Sequence, residues 1–529
     1  MSFDLKGLTV QKMLFQRVIP RLDGGRLGDK EYLKDVIKLI DAGVGGFILF
    51  GGDFWEVRQA LPKLQAKAKI PLLIMSDMEK GAGQQLKGAT VFPCQMAVAA
   101  ATDLVSGEGL AVLAEMLDGM AYEARAAGVQ AILTPVLDVN SNPFNPIIST
   151  RAFSDEPQVV AGLGERYVKG LQGSPVPVMS CGKHFPGHGD SQVDSHTSLP
   201  VLDKDRESLE EEDMFPFRRA VMAGAEMIMT AHLKATALDP VYPASLSQTI
   251  IRRYLRNRAG FEGLVLTDAL NMGALTHHYP PKEAARLAIK AGADILLHPD
   301  EPFKFLTMLE ELAKEKAVTK EEVFMSAARL TKAKTRYCQA VKLSDKLVAQ
   351  RLDENSSTAD ELASRALTLV KAAGAFPKLR EVKGIIAHIV LEDDGDAKAG
   401  RALRSAMAKH KNVKNLFVTK PKLGVMKAEA VKLQKGAALT IISIFSKVSA
   451  GKGSSLLSTE LLELGRALTA KNKKCAVVSF GSPYILKNFP DVSYLVAAYD
   501  PGEPMQSAAY RAFLGDIVFM GELPVRITG

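Results

Sequence analysis

Residues 263–298 read GLVLTDALNMGALTHHYPPKEAARLAIKAGADILLH, and this stretch decides the fold. Two short apolar runs, at 263–268 and 294–298, enclose a segment with helical periodicity. An apolar run without polar alternation is typical of a strand that is buried on both faces, as the strands of parallel sheets are. The stretch therefore predicts a strand–helix–strand unit and an α/β fold.

The same alternation of apolar run and helical segment occurs throughout the first 300 residues. With an opening strand within residues 8–20, the number of strands approaches eight, which favours a (β/α)8 TIM-like barrel. An open doubly wound sheet is the alternative. The other runs are residues 45–50, 71–77, 129–138, 176–181 and 226–232.

Nearly every run ends in a polar or ionisable residue. In barrels the carboxyl ends of the strands carry the chemistry, so several such residues at one mouth predict a catalytic site there. An aspartate at this position can also simply cap the next helix. The residues are Asp77, Asp138, His232, Asp268 and His298.

Residues 300–360 are rich in interleaved Lys and Glu with helical periodicity, which predicts a closing helix followed by a linker. We therefore expect a barrel domain at 1–350 and a smaller C-terminal α/β sandwich domain at 351–529. The apolar runs that predict the second sheet are residues 366–370, 385–391, 439–445, 476–480 and 494–498.

The composition excludes several classes of protein. With 47% hydrophobic and 24% charged residues the chain is an ordinary globular protein, and a net charge of +8 over 529 residues, without an arginine-rich run, does not indicate a nucleic-acid partner. Neither a signal peptide nor a run of 18 uncharged apolar residues is present, so no membrane insertion and a cytoplasmic location are expected. Four distant cysteines predict neither a disulfide framework nor a zinc site, and they fit a reducing compartment. They are Cys94, Cys181, Cys338 and Cys475.

The most informative loop is residues 183–196, KHFPGHGDSQVDSH, which holds three of the nine histidines. A proline and two glycines make a helix improbable here, and in extended chain Asp194 and His196, two residues apart, point to the same side. An aspartate beside an imidazole fixes its orientation and stabilises its protonated form, which suits an acid/base pair. Two other interpretations are open: a metal site, although no HxH or HExxH spacing occurs, and a structural turn.

Asp268 ends a buried strand pattern, LVLTDAL at 264–270. A carboxylate at a barrel mouth can attack an anomeric carbon and form a glycosyl-enzyme ester, which gives retention of configuration after two inversions. Taken alone, the residue fits a helix cap better than a nucleophile.

At these residues the sequence resembles glycoside hydrolase family 3, in its β-N-acetylglucosaminidase branch. The signature of that branch is Lys-His, a hydrophobic residue, Pro-Gly, His or Leu, and Gly, followed after four residues by Asp, Ser or Thr, and His. Residues 183–196 satisfy every position. The ending of the chain, with FGSPY at 480–484 and GELPVRI at 521–527, is similar to the second domain of the family.

The resemblance implies a role for each of seven residues. Asp268 is the nucleophile, His196 is the general acid/base, and Asp194 orients and polarises it. Asp77, Arg151, Lys183 and His184 bind the terminal sugar. In one place the chain departs from the family: many relatives have Asp-Gln-Glu-Gly-Gly-Arg where residues 77–83 read DMEKGAG, so the usual arginine is missing and Lys80 stands nearby.

The implied activity is hydrolysis of terminal β-linked N-acetylglucosamine from saccharides such as cell-wall-derived muropeptides, without a metal or an organic cofactor. A phosphorylase is the nearest alternative, because an imidazole that has given up its proton is neutral and does not repel phosphate. A β-glucosidase and a catalytically silent sugar-binding protein are the others. The oligomeric state is left open by the sequence.

Overall fold

The structure is a computed structural model that describes residues 7–447, 456–470 and 474–527. It divides into two compact units that alternate along the chain. The first unit consists of Met1–Val91, Ala114–Val139 and Pro157–Asn355, and the second of Phe92–Leu113, Asn140–Glu156 and Ser356–Gly529. Two segments within the first 350 residues, 92–113 and 140–156, are thus grouped with the C-terminal part of the chain.

The first unit contains a curled parallel sheet, in the order β10-β8-β6-β5-β4-β3-β2. β11 pairs with β1 and is joined to β10 by a bridge between Leu266 and Ile295, and β2 follows β1 after one residue. β7 and β9 form a separate parallel pair, which the sequence did not predict. The strands are β1 Val18–Ile19, β2 Arg21–Asp23, β3 Gly46–Phe50, β4 Leu73–Ser76, β5 Ala131–Ile132, β6 Met179–Phe185, β7 Val201–Leu202, β8 Met227–Thr230, β9 Lys234–Ala235, β10 Leu264–Thr267 and β11 Leu296–Leu297.

The apolar runs form these strands because both of their faces are buried. All four residues of β4, β8 and β10 are buried, and alternate side chains of each strand contribute to one hydrophobic core. Helix α12, Lys320–Tyr337, adds Leu330, Ala333 and Tyr337 to that core, since spacings of three and four residues place them on one face. The charged segment predicted as a closing helix therefore also carries an apolar face.

Helices connect the strands, and several begin with an aspartate cap, as at Asp29 and Asp53. The connection predicted as a linker near residue 350 is helical, because α13 continues through it. The helices are α1 Val10–Phe15, α2 Lys30–Ala42, α3 Phe54–Gln65, α4 Gln95–Ala100, α5 Leu110–Ala127, α6 Pro157–Gly173, α7 Arg206–Ser208, α8 Phe215–Met222, α9 Gly273–Thr276, α10 Pro281–Ala291, α11 Pro302–Lys314, α12 Lys320–Tyr337, α13 Asp345–Ala366, α14 Arg401–Met407, α15 Leu423–Lys435, α16 Thr459–Thr469 and α17 Glu503–Leu514.

The second unit contains a six-stranded sheet in the order β12-β17-β16-β15-β13-β14, in which only β12 is antiparallel to its neighbour. The five runs predicted from sequence all form strands. β14 was missed, because it is an edge strand whose polar, exposed residues interrupt its apolar run. The strands are β12 Thr368–Ala372, β13 Ile386–Glu392, β14 Val413–Thr419, β15 Leu439–Phe445, β16 Cys475–Phe480 and β17 Tyr494–Ala497.

Over the described residues, none of the helices combines the length and the apolar character that crossing a membrane would need.

Candidate active site

The polar side chains that end the strands of the first unit gather at one edge of its sheet. Because these strands are parallel, their carboxyl ends all lie at the same edge. Strand β6 differs from its neighbours in that its register with β8 shifts between Gly182 and Phe185. This irregularity falls at Lys183 and His184, and such a bulge re-aims the side chains it contains.

Asp268 follows β10 directly. Its amide donates to the carbonyl of Thr230 over 3.0 Å, and its Oδ1 accepts the amide of Ala269 over 2.8 Å. Burial acts to raise the pKa of the carboxyl, but the imidazoles of His184 and His232 and the Ala269 amide outweigh it, so the pKa lies below its ordinary value. The carboxyl is therefore ionised at neutral pH.

The helix-cap interpretation of Asp268 does not hold. The next helix, α9, starts at Gly273, and its N-cap is Met272 rather than the aspartate. The carboxylate thus lies at the sheet edge without a role at a helix terminus.

Lys183 and Asp77 are paired. Lys183 lies in β6 with its side chain 2% exposed, and its Nζ donates to Asp77 Oδ1, just beyond β4, over 2.8 Å. The same Nζ lies 2.8 Å from Oε1 of Glu79, a buried carboxylate that was not among the predicted site residues. Two carboxylates around one ammonium leave this part of the edge rich in hydrogen-bond acceptors, which suits recognition of sugar hydroxyls.

His184 is held by Asp138. Its Nδ1 lies 2.7 Å from Asp138 Oδ2, and its amide donates to Oδ1 over 3.1 Å. The amide of His188 donates to the same Oδ1 over 2.7 Å. Asp138 is wholly buried and orients this histidine, so it is a site residue whose role the sequence did not assign, although the sequence placed it at a strand end.

His196 forms a second pair, with Asp194. Asp194 Oδ1 accepts both the amide and Nδ1 of His196, each over 2.8 Å. The sequence predicted extended chain here, and that was wrong: the amide of Thr197 donates to the carbonyl of Asp194, which closes a turn. A turn brings the pair together because an aspartate side chain accepts the amide two residues on. Since Nδ1 donates to the carboxylate, Nε2 is the atom that can exchange a proton with a substrate.

The two members of this pair differ in accessibility. The side chain of Asp194 is 2% exposed, whereas that of His196 is 38% exposed. The pair therefore combines a fixed carboxylate with an imidazole that a substrate can reach.

His232 fixes the segment that follows Asp268. It is wholly buried, with Nδ1 2.7 Å from Oγ of Ser245 and Nε2 3.0 Å from the carbonyl of Ala269. Burial lowers the pKa of His232 below its ordinary value. Its position at the end of β8 was visible in the sequence, but its hydrogen-bond partners were not.

Arg151, the remaining residue predicted to bind sugar, belongs to the second unit. It ends a short helical turn, Ser149–Arg151, and its Nη1 donates to the carbonyl of Ile147 over 2.9 Å. Lys80, next to the predicted sugar-binding segment, is half-buried, and its amide donates to Oε1 of Gln84.

In the part of the chain that the structure describes, no group of three or more His, Cys, Asp or Glu side chains is arranged to hold a metal ion.

Comparisons with known proteins agree on one family. Residues 19–333 match the model of the glycosyl hydrolase family 3 N terminal domain. The chain is 31% identical to beta-hexosaminidase A of Pseudoalteromonas piscicida over 395 residues, which are 68% of this chain and 64% of that protein. The match thus spans less than two thirds of that relative's length.

Two solved structures resemble the whole chain. A glycoside hydrolase family 3 beta-N-acetylglucosaminidase from Paenibacillus sp. str. FPU-7 is 29% identical with a TM-score of 0.85, and the match covers 99% of both chains. A beta-glucoside phosphorylase, BglX, is 25% identical with a TM-score of 0.85, and the match covers 99% of this chain and 95% of that one.

Proposed function

Because the chain belongs to glycosyl hydrolase family 3, we propose that it is a retaining exo-glycosidase that removes terminal β-linked N-acetylglucosamine from saccharides. The observation that carries this proposal is the combination of an ionised Asp268 with a separate imidazole, His196, whose carboxylate partner is fixed. His196 is close enough to contribute to the lowered pKa of Asp268. A nucleophile and a proton carrier at one sheet edge are what a double displacement needs.

In the first step Asp268 attacks C1 of the terminal sugar and His196 protonates the departing oxygen from Nε2. The bond from C1 to the leaving group breaks as the ester between C1 and Asp268 forms. A low pKa favours this role, because the carboxylate is then ionised without first losing a proton. Asp194 stabilises the imidazolium before it gives up its proton.

In the second step the neutral Nε2 of His196 takes a proton from water. The water oxygen then attacks C1, the ester to Asp268 breaks, and the sugar leaves with its original anomeric configuration. His196 ends the cycle protonated, so each turnover restores the starting state. No cofactor takes part in either step.

The terminal sugar is held by the remaining residues. The Lys183 ammonium and the Asp77 carboxylate offer a donor and an acceptor to neighbouring hydroxyls, and His184, held by Asp138, offers Nε2. The family resemblance adds Arg151. The proposal also includes a (β/α)8 barrel within residues 1–350, a C-terminal α/β sandwich at 351–529, and cell-wall-derived muropeptides as substrates in the cytoplasm.

Two features support the N-acetylglucosamine specificity. The loop at 183–196 has the β-N-acetylglucosaminidase signature in full. The similar proteins named above include a beta-hexosaminidase and a beta-N-acetylglucosaminidase.

A phosphorylase is the second candidate, since the similar structures include a beta-glucoside phosphorylase. The supporting chemistry is that His196, once it has lost its proton, is neutral and would tolerate phosphate near C1 as an attacking group. The product would then be the sugar 1-phosphate instead of the free sugar.

Release of nitrophenol from the β-N-acetylglucosaminide and the β-glucoside, each with and without phosphate, tests both candidates. We expect faster cleavage of the N-acetyl sugar, free sugar as the product, and no activity in the Asp268→Ala variant. A sugar 1-phosphate product would favour the phosphorylase, and faster cleavage of the glucoside would overturn the specificity. Binding of sugar without cleavage of either substrate would favour a silent sugar-binding protein.

A further inference from the structure

The loop that carries Asp194 and His196 is bonded to the segment that follows Asp268. The amide of Gly273 donates to the carbonyl of His196 over 3.2 Å, and the amide of Ala274 donates to the carbonyl of Ser195 over 3.1 Å. Both amides belong to the first turn of α9, where an amide has no partner within its own helix. The chain leaving β10 thus holds both Asp268 and the loop of the acid/base pair.

Gly273 is a glycine because the loop approaches it closely. A Cβ atom at this position would lie 2.6 Å from the carbonyl oxygen of His196 and 3.1 Å from that of Thr197. The φ of Gly273 is not positive, so its backbone suits any residue, and only the lack of space requires glycine. A methyl group here would have to push the backbone of His196 away.

Ser195 has a second anchor on its side chain. Its Oγ lies 3.1 Å from Nε2 of His188, whose amide donates to the buried carboxylate of Asp138. As whole residues, Ser195 and Asp194 are each 3% exposed, whereas the imidazole of His196 is accessible to solvent. The loop backbone is therefore fixed on two sides, while the ring of His196 stays free to reach a substrate.

We propose that Gly273 and Ala274 are positioning residues, which set the distance of the acid/base imidazole from the bond that Asp268 breaks. This inference rests on the proposed glycosidase function. Proton transfer depends steeply on the separation of donor and acceptor, and a displacement of about 1 Å can lower a rate about 100-fold. Displacement of the loop should therefore impair proton transfer and spare nucleophilic attack.

Two variants remove the contacts in different ways. Gly273→Ala inserts a methyl group against the His196 carbonyl. Ala274→Pro removes the amide N–H that donates to the Ser195 carbonyl. No hydrogen bond within the helix is lost, because this amide lies in the first turn. Gly173→Ala is the matched control, since a Cβ on that glycine at the end of α6 meets nothing within 4 Å.

The readout compares aryl β-N-acetylglucosaminides with good and poor leaving groups. Departure of dinitrophenolate needs no proton, whereas departure of phenolate does. We expect kcat/KM on the phenyl glycoside to fall about 10- to 100-fold in both variants, and kcat/KM on the dinitrophenyl glycoside to stay within about threefold of wild type. Azide, which attacks C1 without a base, should restore kcat on the dinitrophenyl glycoside. The control should match wild type.

Hydrogen exchange provides a readout that is independent of catalysis: amides of residues 188–199 should exchange faster in both variants than in the control. Equal losses on the two glycosides, or unchanged exchange, would overturn the positioning role. His196→Ala separates this failure from failure of the proposed function. If His196→Ala lowers kcat/KM equally on the phenyl and dinitrophenyl glycosides, the proposed function fails. If His196→Ala lowers kcat/KM mainly on the phenyl glycoside and Gly273→Ala does not, only the positioning role fails.

Discussion

Two histidine–aspartate pairs lie at the same sheet edge, and their hydrogen bonds are nearly equal in length. Nδ1 of His184 is 2.7 Å from Asp138, and Nδ1 of His196 is 2.8 Å from Asp194. Their surroundings differ: the His184 side chain is 8% exposed and the His196 side chain 38% exposed. The bond alone therefore does not determine what a pair does.

The difference follows from the elements that carry the pairs. Asp138 accepts three hydrogen bonds, two from His184 and one from the amide of His188, and it is wholly buried. Such a carboxylate is committed to structure and holds His184 in one orientation. Asp194 lies in a turn on a loop, and the imidazole of its partner His196 faces solvent. The first pair suits binding of a sugar hydroxyl, and the second suits movement of a proton.

Replacement of His196 should have the largest effect. Removal of a general acid/base lowers rates by about 10²- to 10⁴-fold, so we expect kcat/KM of His196→Ala on the phenyl β-N-acetylglucosaminide to fall by about 10³-fold or more. The unfolding temperature should change little, because the ring is accessible. Azide should restore part of kcat on the dinitrophenyl glycoside. A full rate on the phenyl glycoside would assign the proton transfer to another residue.

His184→Gln should reveal the binding role of the buried pair. Loss of the hydrogen bond between His184 and the sugar leaves a hydroxyl of the bound sugar unpaired, which costs about 2 kcal/mol and lowers kcat/KM about 30-fold. The loss should be the same for good and poor leaving groups, and azide should not restore it. A loss confined to poor leaving groups would mean that His184 carries the proton, and the comparison of the two pairs would be reversed.

The two carboxylates should differ in their contribution to stability. Asp138→Asn disrupts a buried group with three donors and should lower the free energy of unfolding by about 3 kcal/mol. Asp194→Asn, in a turn whose histidine is exposed, should lower it by about 1 kcal/mol. Trp55 is the only tryptophan and lies in the first unit, so its fluorescence during urea unfolding reports on this unit. Equal losses of unfolding free energy in Asp138→Asn and Asp194→Asn would contradict the division into a structural and a functional pair.

The acid stability of the first unit should depend on the buried imidazole of His188, whose backbone amide donates to Asp138. Burial lowers its pKa from 6.5 to about 4. Below pH 6.5 the unfolded chain binds a proton that the folded chain does not, so stability falls as the pH drops from 6.5 towards 4, by up to about 3 kcal/mol. His188→Gln should reduce this fall, measured as urea unfolding of Trp55 at pH 7 and pH 4.5. An unchanged pH dependence would mean that the ring is protonated in the folded state.

The sequence predicted the strands well and the contacts poorly. Fully buried strands such as β10 leave an uninterrupted apolar run, which is visible locally, whereas the edge strand β14 does not. The pairing of His184 with Asp138 joins residues 46 apart along the chain, so no local pattern reveals it. The turn at Asp194 was misjudged because the spacing of two residues fits both an extended chain and an aspartate-capped turn.

The most direct test of the account uses the His196→Ala variant with the dinitrophenyl β-N-acetylglucosaminide. The good leaving group allows Asp268 to attack without an acid, and the missing base slows hydrolysis, so the glycosyl-enzyme should accumulate. After acid quenching and proteolysis, mass spectrometry should find one N-acetylhexosamine residue on the peptide that contains Asp268. An unmodified peptide at this position, or an adduct on a different residue, would contradict Asp268 as the nucleophile.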